Sequence, residues 1–148
     1  MTVSFDEAVR ARLRAAHIWY VATVLADGAP QVSPMWVDLE GENELSFNTS
    51  AGRVKEENLR RDPRVYLSHA DAGNPFDRVQ IRGEVVRFVE GAEAHDRMDR
   101  LARKYLGSER FEWTMPGERR IGVIVRPTKV RHIVGVERFR PGGPLPAP

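Results

Sequence analysis

Apolar positions along this chain follow two periods, and the period switches several times. Phe5, Val9 and Leu13 recur at helical spacing beside Ala8, Ala11, Ala15 and Ala16, which predicts a helix to about Ala16. Ser4-Phe5-Asp6-Glu7 ahead of it reads as a capping box, with Ser4 as the cap. Residues 19–25 (WYVATVL) are β-branched and aromatic and predict a strand, and Asp27-Gly28 is a hairpin signal. Residues 30–39 predict a second strand, interrupted by Pro34, which implies an edge or a bulge. Residues 44–48 form a third strand and residues 65–70 a fourth. Residues 77–89 alternate, with Val79, Ile81, Gly83, Val85, Arg87 and Val89 on one face and Phe88 on the other. Gly83 permits the bend that barrel closure needs. After Gly91, the positions Ala94, Met98, Leu101, Ala102 and Tyr105 make an apolar helical stripe suited to core packing. Residues 121–125 and 129–136, separated by a kink at Pro127-Thr128, read as two final strands.

The expected order is therefore helix, three strands, helix, two strands, helix, two strands. Short turns join the strands, so the sheet is mainly antiparallel. A bulge at Pro34 and a bend at Gly83 favour a closed barrel with flanking helices, a mainly β (α+β) fold. Residues 1–139 form one domain, and the Pro/Gly-rich residues 140–148 form a tail that cannot build a core.

The stretch most suggestive of chemistry is residues 47–64, FNTSAGRVKEENLRRDPR. It reads as a strand end, a polar turn and a short basic helix that stops at Asp62-Pro63. Asn48, Thr49 and Ser50 supply amide and hydroxyl groups, Ala51-Gly52 a turn, and Arg53 and Lys55 two cations, with Asn58 near the same face. Free amides at a helix start beside cations suit a phosphate. A capped surface helix with solvated cations is the alternative.

Composition narrows the classes. The chain has 148 residues and no cysteine, which removes disulfides, thiolate catalysis and sulfur-ligated metals. Its formal charge of +2 does not by itself imply nucleic acid, and no apolar run approaches the roughly 20 residues a membrane span needs. The mixed, acidic start does not resemble a signal peptide, so a cytoplasmic protein is expected. His17, His69, His95 and His132 are scattered singly. Neither a Ser/His/Asp set nor metal-ligand spacing is visible.

Taken together, Asp27-Gly28, the run from Pro30 through Gln31, Val32, Ser33, Pro34 and Met35 to Trp36, Phe47-Asn48-Thr49, and the block running from Arg53-Val54-Lys55 to Val65 resemble the pyridoxamine-phosphate-oxidase-like family of flavin and deazaflavin split barrels. Arg82-Gly83-Glu84-Val85 fits as well. The resemblance implies that Arg53 and Lys55 hold a cofactor phosphate. It implies that Asn48, Thr49 and Ser50 meet the ribityl chain and ring edge, and that Val32, Ser33, Pro34, Met35 and Trp36 line the ring. It also implies a homodimer with sites built across the interface. The chain lacks the C-terminal W-x-x-x-R-L-x-P segment of true pyridoxamine phosphate oxidases, which argues against that substrate. The basic block is closer to the branch that uses coenzyme F-420, whose acidic tail Arg60, Arg61 and Arg64 could receive. The expectation is hydride transfer from reduced F-420 to a small unsaturated substrate. An FMN-dependent oxidoreductase, a non-catalytic carrier of a flavin- or haem-type ligand, and last a nucleic-acid-binding barrel are the alternatives.

Overall fold

A computed structural model describes residues 3–134 of the chain. Six antiparallel strands close into a barrel in the order β1-β2-β3-β6-β5-β4. The strands are β1 (Ile18–Val24), β2 (Pro30–Glu40), β3 (Glu44–Ser50), β4 (Arg64–Ala70), β5 (Arg78–Val89) and β6 (Arg120–Ile133). Three helices flank them: α1 (Glu7–Arg14), α2 (Val54–Arg61) and α3 (Gly91–Leu106). The expected antiparallel barrel with flanking helices is what forms. No helix among the described residues is long and apolar enough to cross a membrane. The expected tail at residues 140–148 and the end of the last expected strand lie outside the described residues.

The interior is filled from alternate positions of the strands. Trp19, Val21, Val37, Phe47, Leu67, Ile81, Val123 and Val125 are all nearly or fully buried. The two short helices add to that core. Phe5, Val9 and Leu13 come from α1 and its lead-in, and Leu59 comes from α2. An isolated helix of eight residues is marginal in water. Three side chains worth about 1.5–3 kcal/mol each on burial decide that α1 forms. Its cap is Asp6, whose carboxylate accepts from Val9 N at 2.9 Å, and not the expected Ser4. The helix ends at Arg14, two residues before Ala16, where Ala15 turns extended.

Three further differences have physical causes. First, residues 120–133 are one strand rather than two. Pro127 stays within β6, opposite Gly83, at an irregularity in the ladder where a missing N–H is tolerated. Second, β5 changes face midway. The register slips between Arg82 and Gly83 and again between Val85 and Arg87. Beyond the second bulge Phe88 packs on the barrel core, whereas Val89 faces outward onto Ala94 and Ile124 under α3. A one-residue slip reverses every later side chain, which strict alternation could not anticipate. Third, Pro34 sits at a strand edge rather than in a bulge: β1 and β2 pair without interruption from Ile18↔Trp36 to Val24↔Pro30.

Gly83 is required by closeness, not by an unusual dihedral. A Cβ there would lie 2.6 Å from Val125 Cγ1 and 2.9 Å from the Arg126 carbonyl oxygen. Gly83→Ala is expected to destabilise the protein by about 1–3 kcal/mol, as overpacking does. Thermal unfolding of the variant should show a midpoint lowered by several degrees. An unchanged midpoint would mean that β6 moves aside freely.

Candidate functional site

The barrel parts along one seam. β2 and β3 pair only from Val37↔Phe47 to Glu40↔Glu44. Beyond that point β2 runs with β1, while Asn48, Thr49 and Ser50 of β3 run with Gly122, Ile121 and Arg120 of β6. The edges that separate enclose two adjoining crevices of about 380 and 340 Å³, which share Met35, Asn48 and Arg53. An unpaired edge explains why Pro34 is tolerated in the middle of β2.

Helix α3 holds β2 at the parting point. The Tyr105 hydroxyl accepts from Val37 N at 3.1 Å, and Lys104 Nζ donates to the Val37 carbonyl at 2.6 Å and the Leu13 carbonyl at 2.5 Å. Burial lowers the pKa of Lys104, an effect that Asp38 opposes. Trp36 stacks on Tyr105 with centroids 5.2 Å apart and planes within 6°. Trp36, backed by Tyr105, forms part of the wall of the second crevice.

The first crevice ends at the start of α2. Gly52 has φ +84°, the left-handed conformation that turns the chain from β3 into the helix, with open space where its Cβ would be. Arg53 is the N-cap residue and makes no side-chain capping bond, so the first amides of α2 are not closed off by a side chain. Lys55 Nζ crosses to β2 and donates to Ser33 Oγ at 2.6 Å. Burial, and then the neighbouring Arg53, hold the Lys55 pKa below the ordinary lysine value. Thr49 is buried and also lines this crevice.

A second charged group sits beside it. Glu118, from the loop after α3, accepts from Ser50 Oγ, from Met115 N at 2.8 Å, and from Arg53 at 3.1 Å. Arg120 lies 3.3 Å away with its guanidinium over the Phe111 ring, 4.6 Å from the centroid. The Ser50 hydroxyl, the Met115 amide and the two arginines hold the Glu118 carboxyl below its usual pKa. Asn48 donates to the Ala94 carbonyl at 3.1 Å, leaving its buried Oδ1 without a partner.

Of the residues expected at a site, Ser33, Pro34, Met35, Trp36, Asn48, Thr49, Arg53 and Lys55 converge on the seam. Ser50 borders it, with its hydroxyl committed to Glu118. Two lie elsewhere. Val32 faces the opposite surface, in a recess of about 410 Å³ with Tyr20, Tyr66, Gln80 and Arg82. Asn58 is buried under α2, donating to Thr23 Oγ1 at 3.0 Å and accepting from Arg61 at 2.9 Å. Arg60 bonds Glu56 and lies over Phe88, and Arg64 is bonded to Asp62. Sequence reasoning missed Glu118, in the loop after α3, and Arg120, at the start of β6. It also read Met98, Leu101 and Tyr105 only as packing.

A cation pair, uncapped amides and a hydroxyl at one end of a slot walled by aromatic and apolar side chains suit a phosphate-bearing planar molecule. Anion affinity at this cradle should fall as pH rises through the lowered Lys55 pKa, because the cation is lost there. Phosphate-ligand titration between neutral and alkaline pH checks this. Lys55→Arg should keep its affinity across the same range.

The sequence model of the pyridoxamine 5'-phosphate oxidase family matches residues 5–133. No curated protein matches the sequence. Among solved structures, the chain is similar to an F420 reductase at 28% identity and TM-score 0.75, covering 86% of this chain and 98% of that one. It is similar to a conserved hypothetical protein from Mycobacterium tuberculosis at 26% identity and TM-score 0.69, over 88% and 86% of the two chains. An FMN-binding protein from Syntrophomonas wolfei shares the fold at 10% identity and TM-score 0.62, over 89% and 90%.

Proposed function

The chain belongs to the pyridoxamine 5'-phosphate oxidase family, and from that premise we propose that it is an oxidoreductase that passes hydride from reduced coenzyme F-420 to a small unsaturated organic molecule. The observation that carries this reading is the Arg53 and Lys55 pair at the uncapped start of α2, opening on the gap between β2 and β3. The likeness to an F420 reductase over nearly all of that chain supports the deazaflavin over other carriers. FMN is the second candidate, favoured by the fold shared with an FMN-binding protein.

In this reading Arg53, Lys55, Thr49 and the first amides of α2 hold the phosphate. The unpaired edge of β2, with Pro34, Met35 and Trp36, lies along the ring, and Asn48 lines both crevices beside it. The bound cofactor supplies the hydride. The protein binds it, orients it and narrows water access with Met98, Leu101 and Phe111.

A homodimer accompanies the proposal. Tyr20, Val32 and Tyr66 leave an aromatic and apolar face open beside Gln80 and Arg82. A second copy would cover that face. Sedimentation should then give twice the 16.8 kDa chain mass, and Tyr20→Glu should return the monomer. A wild-type monomer at micromolar concentration would remove this part.

Titration of the purified protein with F-420 and with FMN, followed by visible absorbance, tests the main reading. Binding of F-420 in preference to FMN is expected. Joint replacement Arg53→Ala with Lys55→Ala should weaken cofactor affinity by at least about tenfold, since each cation supplies a charge-assisted contact. The far-ultraviolet spectrum should not change. Undiminished affinity in the double variant would place the phosphate elsewhere.

A further inference from the structure

The second crevice holds more than a planar cofactor edge needs. Its lining includes Trp36, Phe111, Trp113, Met98 and Leu101, together with Arg120. Arg120 is 6% exposed, yet its Nε–H has no partner. A buried donor left unpaired costs about 1–3 kcal/mol, more when it belongs to a charged group. Glu118 does not relieve it, because that carboxylate already takes the Ser50 hydroxyl, the Met115 amide and Arg53, and meets Arg120 elsewhere on the guanidinium. The network therefore sets two guanidinium groups against one carboxylate. Asn48 Oδ1, the other unpartnered atom bordering the crevice, is an acceptor and repels an anion, so any anionic end belongs on the Arg120 side.

We propose that this aromatic chamber takes a planar conjugated carboxylate, with Arg120 as the residue that selects it. One ligand carboxylate beside Arg120, which lines the chamber, brings the network to two cations and two anions. The indole and phenyl rings offer flat faces to a conjugated chain or ring, and a volume of about 340 Å³ suits a molecule of one or two rings. In naming this ligand the hydride acceptor, the assignment rests on the oxidoreductase reading; as a binding site it does not.

Trans-cinnamate and its neutral methyl ester test it, with the quenching of Trp36 and Trp113 fluorescence as the readout. Cinnamate should bind saturably and roughly tenfold or more tighter than the ester, the difference one charge-assisted hydrogen bond makes. Arg120→Met should abolish that preference and leave ester binding in place. Trp113→Leu, outside the ion network, should weaken both ligands while preserving the preference, so the test survives if the Arg120 variant does not fold. Equal affinity for acid and ester in the wild type, or a preference that persists in Arg120→Met, overturns the proposal. Displacement of cinnamate by bound F-420 or FMN also overturns it, since the cofactor ring would then reach past Pro34 and Met35 into the Arg120 end of the chamber. Selective cinnamate binding by a protein that takes up neither cofactor would sustain the site and remove the redox reading.

Discussion

The structure depends on where β2 and β3 stop pairing. From Glu40 to Val37 the two strands share a ladder, and beyond it each turns to a different neighbour. A closed barrel has no edges, so an opened seam must be held open by something else. Here α3 does so: Tyr105 and Lys104 take the N–H and C=O of Val37, the last residue before the parting. Pro34 maintains the separation, because it offers no N–H to a returning strand.

The functional features follow from that seam. Residues just past the end of a shared ladder have unpaired backbone and inward access, and a helix start beside them adds free amides. Arg53 and Lys55 stand on that helix start, and Lys55 reaches across the gap to Ser33. The loop after α3 and the start of β6 then lay Glu118 and Arg120 against the same edge. Cations come to the seam from two separate parts of the chain, and one carboxylate ties them together.

The charge distribution separates two regions within one slot. The end near Lys55 is polar and suits a phosphate. The end near Arg120 is aromatic, with a single buried guanidinium not fully matched. The contrast suits two ligands or two parts of one.

Local pattern in the chain determined a good deal. Period-two and helical spacings located the strand ends to within about two residues, except at Pro127 and at the end of the last strand, expected at residue 136 beyond the described residues, and the Arg53 to Pro63 block was legible as a helix with cations at its start. These features depend on neighbours in sequence, and so on steric and hydrogen-bond preferences acting over a few residues. The tertiary structure alone decided the rest. The bulge in β5 reversed Phe88 and Val89, because register is settled by the partner strand. Asn58 went to Thr23 and Val32 to the far face, because a side chain's direction depends on what its element packs against. Glu118 and Arg120 joined a site some 65 residues away from Arg53 in the chain, since the ladder between β3 and β6 sets Ser50 opposite Arg120. No spacing rule within a single segment carries that information.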